Sequence, residues 1–174
     1  MNTIEITNLL RTNRKTAPLF LGVFAADEGP RQLPSSGPFV LVKNVMPGSH
    51  GGLHWVAISR SANKRRIDYF DSMGMRANEM NETFLRRLGS NYFYSKRIIQ
   101  APTSNICGLY VALFCFYKSS GMSLGTIVKK FRHKRFYEND CKLIRLVKRV
   151  FGTELKLKPT PDTNKYCKKK NMYK

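Results

Sequence analysis

The chain has 174 residues, of which 42% are apolar and 24% charged, enough for one domain with its own core and too few to suggest two. Its 31 Lys and Arg residues against 11 Asp and Glu give a formal net charge of +20, which favours a polyanionic partner such as nucleic acid. The first residues contain no apolar segment of the kind found in signal peptides. The longest apolar run, residues 108–117, is far shorter than the roughly 20 residues that span a bilayer.

We therefore expect a soluble, intracellular protein without a membrane partner. In that setting cysteines are more often thiols than parts of a disulfide framework. The chain has four cysteines, Cys107, Cys115, Cys141 and Cys167, and we expect all four to be thiols.

The first half of the chain predicts one helix followed by strands. Asn2 lies three residues before Glu5, which indicates a capping box and a short helix to about Leu10. A short extended piece (18–24) and a loop rich in Pro and Gly follow. Strands are predicted at residues 39–45, 53–59 and 66–72, the last two forming a hairpin.

The second half predicts mainly helices. Met80, Phe84, Leu85 and Leu88 share one helical face, and Gly89 is a stop signal. Residues 92–100 predict a strand, and residues 106–118, apolar nearly all round, predict a buried central helix. Basic helical segments at about 122–132 and 139–151 precede a polar tail that starts at Lys158. Strands interleaved with helices indicate a single α+β domain over residues 1–174, with a basic helical C-terminal region at about 122–174.

His54 and Asp71 are candidates for a catalytic pair. Their numbers add to 125, so a hairpin centred between Ala62 and Asn63 would place them directly opposite each other, with Cβ atoms about 5 Å apart. At that separation a carboxylate can orient an imidazole. A surface charge pair is the alternative interpretation, and the apolar flanking residues favour a position at the rim of a packed sheet.

Cys107 is the candidate nucleophile. Ser104 and Asn105 are expected to cap the following helix, which places the Cys107 thiol in its first turn. There the unpaired N–H groups and the helix dipole favour a thiolate. A buried structural cysteine is the alternative, and it suits Cys115, in the middle of the same helix, better.

Two neighbours of Cys107 suit an oxyanion site. Gln100, seven residues earlier, can offer its side-chain amide alongside the Cys107 backbone N–H, and together these groups would form an oxyanion hole. Gly108 would allow a substrate carbonyl to approach the backbone. A glutamine at this spacing is weak evidence when taken alone.

Three motifs carry a resemblance to a known family. The segments "GGLHW" (51–55), "YFDSMG" (69–74) and "QAPTSNICGLY" (100–110), in this order, resemble the adenovirus proteinase (adenain) family and its relatives, the SUMO-specific proteases. The similarity covers roughly residues 3–125 and includes the order His, Asp, Gln, Cys and the intervals between these residues.

The resemblance implies a papain-like α+β fold, circularly rearranged so that the histidine precedes the cysteine, with a sheet packed on a buried helix that starts at the nucleophile. It implies a thiol protease that cleaves peptide bonds through a thioester, after small residues and commonly after Gly-Gly. His54, Asp71, Cys107 and Gln100 take the catalytic positions. Asp71 follows the form of the SUMO-specific proteases, since many adenoviral members carry Glu there.

The resemblance also assigns substrate-binding residues. Trp55 would roof a narrow channel that admits only glycine-like residues, with Gly52 and Gly108 as further substrate contacts. By packing alone, a single Trp is more often a core or rim aromatic.

The C-terminal quarter carries most of the charge. Residues 129–174 hold 16 Lys and Arg against four acids. A solvated face of an amphipathic helix is one interpretation, but charge of one sign persists throughout, so we favour phosphate binding. The candidate DNA-binding residues are Lys129, Lys130, Arg132, Lys134, Arg135, Lys168, Lys169 and Lys170.

The resemblance extends to activators but not to metals. Adenoviral relatives bind viral DNA as an activating cofactor, and they bind a peptide through a cysteine ahead of the nucleophile. No cysteine precedes Cys107, so a peptide activator would have to bind differently. No cofactor is expected to be required for the chemistry. We expect no metal site, because glycines separate His50 from His54 and no C-x-x-C pair exists.

Three functions remain open from the sequence. The first is a viral maturation protease that cleaves capsid or core precursors and acts, as a monomer, in the virion and the host nucleus. The second is a protease that removes SUMO-like or ubiquitin-like proteins from conjugates with the same triad. The third is a basic nucleic-acid-packaging protein whose apparent triad is incidental, which the joint agreement of order and spacing disfavours.

Overall fold

The computed structural model describes residues 1–62, 64–89, 91–152 and 160–169, without the side chains at 64 and 65. Within these residues helices and strands are interleaved, as the sequence predicted. In chain order they are α1 (Thr3–Thr12), β1 (Phe20–Phe24), β2 (Phe39–Asn44), β3 (Trp55–Ser61), β4 (Lys64–Phe70), α2 (Glu79–Leu88), β5 (Tyr92–Tyr94), α3 (Cys107–Ser119), α4 (Leu124–Lys129), α5 (Phe136–Phe151) and α6 (Pro161–Lys169).

The five strands form one mixed sheet in the order β1-β2-β3-β4-β5. The inner pairs β2–β3 and β3–β4 are antiparallel, whereas the edge strands β1 and β5 run parallel to their neighbours. The predicted α+β class is thus confirmed. The piece at 18–24 contributes an edge strand, and the strand predicted over 92–100 is only three residues long.

The register of the β3–β4 hairpin differs from the expected one. Arg60 lies opposite Ile67, and the pairing shifts just before the turn because β4 carries two extra residues there. Extended by one residue beyond β4, this register aligns Asp71 with Val56, so the expected pairing of His54 directly opposite Asp71 is wrong. Because the shift is an even number of residues, the two side chains nevertheless stay on the same face of the sheet.

Helix α3 is the centre of the larger core. It is buried on almost every side and packs against β2, β3 and β4, with α1 and α5 around it. The Phe70 ring stacks on the Phe114 ring at a centroid distance of 4.6 Å. At the far end, Lys118 Nζ lies 2.7 Å from Asp68 Oδ2, with both side chains at least 94% buried. These two contacts fix the second half of α3 on β4.

The start of α3 matches the expected residue but not the expected cap. The helix begins at Cys107, and the N-cap position is Ile106, which makes no side-chain capping hydrogen bond. The expected N-cap position, at Ser104 or Asn105, is therefore wrong by one or two residues. The Ser104 carbonyl instead accepts a hydrogen bond from the Gln100 side chain.

The opposite face of the sheet is covered by α2 and the loop that follows β1. Phe84 and Leu85 of α2 pack with Leu41 and Ile58 of the central strands. Asn78 caps α2 through the Asn81 N–H, and Gly89 ends it, as predicted. The capping box between Asn2 and Glu5 of α1 is also confirmed. No helix in the described part of the chain has both the length and the apolar character needed to cross a membrane.

The C-terminal region contains a helix that the sequence did not reveal. The polar tail predicted from Lys158 includes α6, which buries Thr163 and Cys167 against α5. Its other residues are mostly exposed, so α6 lacks the repeating apolar stripe by which helices are recognised in a sequence.

The docking of α6 brings two cysteines together. Cys141 of α5 and Cys167 of α6 form a disulfide, with Cα atoms 5.7 Å apart. The expectation of four thiols is wrong for this pair, whereas Cys107 and Cys115 are free and buried. Without a predicted α6, no signal in the sequence placed Cys167 beside Cys141.

We expect the disulfide to stabilise the C-terminal region. It closes a loop with a sequence separation of 26 residues, for which the chain-entropy relation gives about 3.5 kcal/mol. Cys141→Ser/Cys167→Ser should lower the free energy of unfolding by about this amount in urea denaturation. Non-reduced peptide mapping of the unmodified protein should recover the Cys141–Cys167 pair, and an unchanged unfolding midpoint in the double variant would contradict this role.

Candidate active site

His54 and Asp71 lie at the ends of two neighbouring strands. His54 immediately precedes β3 and Asp71 immediately follows β4. His54 Nε2 lies 2.8 Å from Asp71 Oδ1, and the side chains are 18% and 3% exposed, respectively. The Asp71 carboxylate also accepts a hydrogen bond from the Met73 backbone N–H, at 2.6 Å. The carboxylate is therefore held from two sides and fixes the orientation of the imidazole.

Cys107 completes the group. Its thiol hydrogen-bonds with His54, and because Asp71 occupies Nε2, the ring nitrogen available to the thiol is Nδ1. His54, Cys107 and Gln100 line one cleft of about 420 Å³. The structure thus brings together all four residues that the sequence placed in the catalytic set.

The His54 and Cys107 pKa values shift in opposite directions. Burial disfavours the charged imidazole, but the hydrogen bonds and charges of Asp71 and Cys107 outweigh it and raise the pKa of His54 to about 10. Burial also disfavours the thiolate, but hydrogen bonds from His54 and from the Trp55 and Gly108 backbone hold the pKa of Cys107 below its usual value. The site therefore favours a thiolate–imidazolium pair.

Cys115 has the opposite environment. It lies in the middle of α3, is fully buried, and its pKa is raised by that burial. A neutral thiol without access to solvent is a poor nucleophile, so the two free cysteines differ in environment, and their difference in reactivity stays a prediction.

The Gln100 side chain has a defined orientation. It is 2% exposed, and its Nε2 donates to the Ser104 carbonyl at 2.7 Å, while Oε1 accepts from the Ser72 hydroxyl at 2.6 Å. Gln100 lines the cleft that contains Cys107, and its Nε2 carries a second N–H besides the one that Ser104 accepts. This arrangement is compatible with a donor to an oxyanion.

Asn44, at the end of β2, supports the loop that leads to His54. Its Oδ1 accepts from the Met46 N–H at 2.9 Å and from the Leu53 N–H at 3.3 Å, closing the loop. Its Nδ2 would lie 2.9 Å from a Cβ added at Gly52. Gly52 lines the cleft, so a side chain at this position would displace the amide that closes the loop.

Trp55 lines the cleft, whereas Gly108 does not. The Trp55 indole donates to the Met1 carbonyl at 2.9 Å, and Met1 also lines the cleft. A Cβ added at Gly108 would lie 2.8 Å from the Met1 Cβ. Met1 thus occupies the space beside Gly108 that we expected a substrate carbonyl to use. The absence of a side chain at Gly108 allows Met1 to pack against α3.

The predicted DNA-binding cations lie away from the cleft. Lys129, Arg132, Lys134, Arg135, Lys168 and Lys169 are exposed and Lys130 is partly exposed, while Lys170 lies outside the described residues. Tyr137 of α5 stacks on Tyr166 of α6 at 5.5 Å, so the helix that carries Lys168 and Lys169 packs on the first turn of α5. In the described ranges, no group of three or more His, Cys, Asp or Glu is placed to hold a metal ion.

Several supporting residues were missed by the sequence analysis. Asn139 and Asp140 of α5 are buried and bind the loop around Gln100. They are polar, yet they lie one helical turn before the buried Leu143 and Ile144. Polar residues on an otherwise apolar helix face are the feature of the sequence by which they could have been recognised. Ser72 sits within the motif "YFDSMG", but its role depends on a contact with a residue 28 positions away.

Comparison with known proteins agrees with the resemblance seen in the motifs. The chain is 31% identical over 109 residues to the protease of avian adenovirus 8 (strain ATCC A-2A), a match that covers 55% of this chain and 53% of that protein. The chain thus spans about half the length of this curated relative. No family model matches the chain. The expected similarity to adenovirus proteases is confirmed over this region.

Solved structures show the same fold. Two crystal structures of the ASFV pS273R protease align with the chain. The selenomethionine form has a TM-score of 0.51 at 17% identity and covers 66% of this chain and 44% of that one. The other has a TM-score of 0.52 at 13% identity and covers 83% and 66%, respectively. At these identities the likeness concerns the fold alone. The circular rearrangement of a papain-like fold stays a prediction.

We expect the opposite pKa shifts to be visible in thiol chemistry. Because the pKa of Cys107 is lowered and that of His54 is raised to about 10, the ion pair should form at a lower pH than an ordinary thiol ionises and persist up to about pH 10. Alkylation of Cys107 by iodoacetamide should therefore stay fast when the pH falls below about 8.5, the pKa of an ordinary thiol. His54→Ala should move the midpoint upward, because the thiolate loses its counter-charge.

The measurement is the alkylation rate against pH, with the labelled residue identified by mass spectrometry. Cys115 should remain unlabelled in the folded protein and serves as the internal control. A midpoint near that of a free thiol in the unmodified protein would contradict the ion pair.

Proposed function

We propose that this chain is a cysteine endopeptidase of the adenain type, with Cys107 as nucleophile, His54 as general acid and base, and Asp71 as the group that orients His54. The observation that carries this proposal is a thiol with a lowered pKa hydrogen-bonded to a histidine with a raised pKa, in one cleft. The protease of avian adenovirus 8, similar over 109 residues, supports the reaction class.

The geometry suits acyl transfer in two steps. The Cys107 thiolate attacks the carbonyl carbon of the scissile peptide bond, and the resulting oxyanion accepts hydrogen bonds from Gln100 Nε2 and from the Cys107 backbone N–H. His54 then donates its proton to the departing amine, which leaves a thioester on Cys107. In the second step His54 removes a proton from water, the hydroxide attacks the thioester, and the acid product and the thiolate are released.

The cleft favours substrates with small residues before the cut. Trp55 and Gly52 line it beside His54, and Trp55 is held by the Met1 carbonyl, so the aromatic wall is fixed. We propose that Trp55 roofs a channel of glycine width and that Gly-Gly sequences are preferred. Precursor proteins of a viral capsid or core are the proposed substrates. Conjugates of ubiquitin-like proteins are the alternative substrates. Their cleavage would follow the same chemistry, but the protease would need a different surface to bind them.

We further propose that the chain associates with DNA, in a virion and in the host nucleus. Arg132 and Arg135 are 80% and 66% exposed, and each lies more than 3.6 Å from its acidic neighbour Glu138. Exposed ion pairs of this kind contribute little, so both guanidinium groups can bind phosphates. Lys168 and Lys169 extend this positive surface along α6.

Replacing the nucleophile should abolish cleavage. We expect Cys107→Ala to lower kcat on a Gly-Gly-containing peptide by at least about a thousandfold, since the members of such a catalytic unit are not independent. Cys115→Ala is the matched control in the same helix, and it should lower the thermal midpoint while kcat stays within about twofold, because its cost is a small cavity.

The assay is cleavage of a fluorogenic peptide by each purified variant, with folding followed by circular dichroism. Folded Cys107→Ala that cleaves at a normal rate would refute the cysteine-protease proposal. Equal cleavage of a peptide with Leu-Phe before the cut would refute the glycine-width channel alone.

DNA binding should be electrostatic and insensitive to sequence. Since each neutralised phosphate releases counterions, the logarithm of the affinity should fall with the logarithm of the salt concentration, with a slope of about −0.9 per phosphate on duplex DNA. Arg132→Gln/Arg135→Gln should reduce the slope by about two, because two phosphate contacts are lost. Fluorescence anisotropy with two unrelated duplexes provides the measurement. Absence of binding at low salt would refute the DNA proposal and leave the protease proposal intact.

A further inference from the structure

We propose that Ser72 is a positioning residue for the oxyanion site, because its hydroxyl holds the Gln100 amide in the orientation that the Ser104 carbonyl selects. Asp71 and Ser72 would then form one element that orients His54 with its first residue and Gln100 with its second. This inference rests on the proposed cysteine-protease function and adds a residue to its machinery.

The hydrogen bonds allow only one orientation of the Gln100 amide. The amide atom 2.7 Å from the Ser104 carbonyl oxygen must be nitrogen, because a carbonyl oxygen can only accept. The other amide atom is then the oxygen, and the Ser72 hydroxyl, 2.6 Å away, must donate to it. A hydroxyl can donate or accept, so Ser72 alone would tolerate either orientation. Together with Ser104 it stabilises the orientation that presents N–H groups.

Ser72 also holds the backbone of Gln100. Its carbonyl accepts from the Ile99 N–H at 3.0 Å and from the Gln100 N–H at 3.2 Å. Gly74 makes this approach possible, since it has φ of +69° and a Cβ there would lie 2.7 Å from the Lys96 carbonyl oxygen. The turn after β4 can therefore pack directly on the segment that carries Gln100.

The division of labour between Asp71 and Ser72 follows from local geometry. Asp71 directly follows β4 and opens the turn, which the hydrogen bond from the Gly74 N–H to the Asp71 carbonyl closes at 3.1 Å, and Ser72 is the first residue inside it. The Asp71 side chain contacts His54, and the Ser72 side chain, which is fully buried, contacts Gln100. One turn thereby serves both the base and the oxyanion donor.

The loop around Gln100 has other supports that do not involve the Ser72 hydroxyl. The Ile99 carbonyl accepts from the Tyr110 hydroxyl and from Asn139 Nδ2, each at 3.0 Å. The Ala101 N–H donates to Asp140 Oδ1 at 3.5 Å. Because these contacts hold the backbone, loss of the hydroxyl should free the Gln100 amide to rotate without displacing the loop.

The test compares Ser72→Ala with Ser59→Ala in the full chain. Ser59 is a matched control, since its side chain is also fully buried and its hydroxyl has no hydrogen-bond partner among the described residues. For each variant kcat and KM are measured on the Gly-Gly peptide, together with the rate of Cys107 alkylation by iodoacetamide. Alkylation reports the thiolate and requires no oxyanion hole, so it separates Ser72 from Asp71.

We expect Ser72→Ala to lower kcat at least about tenfold, while KM and the alkylation rate stay within about twofold of the values for the unmodified protein. The loss in kcat should be smaller than that caused by deleting an oxyanion donor, which is about 10²-fold or larger. Ser59→Ala should leave all three unchanged. Ser72→Ala should have no further effect in a Gln100→Ala background, because Ser72 acts through Gln100. Ser72→Thr, which keeps the hydroxyl, should restore part of kcat.

Different results would overturn different claims. A normal kcat in Ser72→Ala, or an effect equal in size in the Gln100→Ala background, would overturn the positioning role and leave the protease proposal standing. If the unmodified protein cleaves no peptide while Cys107 alkylates normally, the proposed function fails and this inference with it. If Ser72→Ala shows no thermal transition, the variant has not folded and Ser72→Cys replaces it. This variant keeps a weak donor of similar size, and its kcat is measured with and without Gln100→Ala.

Discussion

The packing of α3 against the middle of the sheet is the constraint on which the rest of the structure depends. An aromatic stack with β4 and the buried Lys118–Asp68 pair fix the second half of the helix. Its first residue, Cys107, lies beside the ends of β3 and β4, where it shares a cleft with His54. His54 and Asp71 lie at those strand ends, so the geometry of the candidate site depends on how the buried helix packs on the sheet.

Burial around the cleft has two opposite effects on charge. Desolvation alone would make both His54 and Cys107 neutral, yet their mutual hydrogen bond and the Asp71 carboxylate reverse this tendency. Cys115 shows the outcome without such partners, since its pKa is raised. Two thiols two turns apart in a single helix thus have pKa values shifted in opposite directions by their neighbours.

The C-terminal helices contribute to the site as well as to the charge of the chain. Asn139 and Asp140 reach the loop around Gln100 from one face of α5. The disulfide from Cys141 anchors α6 beside them, and Thr163 of α6 donates to Asp140 at 3.5 Å. The region expected to be a basic helical C-terminal region is therefore also part of the support for the candidate oxyanion donor.

The sequence by itself determined the α+β class, the helix starting at Cys107 and the four candidate catalytic residues, because short motifs and apolar periodicity encode local structure. It also predicted that His54 and Asp71 share a face, which survived a wrong register because side chains alternate with a period of two. Only the tertiary structure decided the orientation of the Gln100 amide, the contact between Met1 and Gly108, and the Cys141–Cys167 disulfide. Each of these joins residues far apart in the chain, and no local pattern specifies which distant partner a side chain will meet.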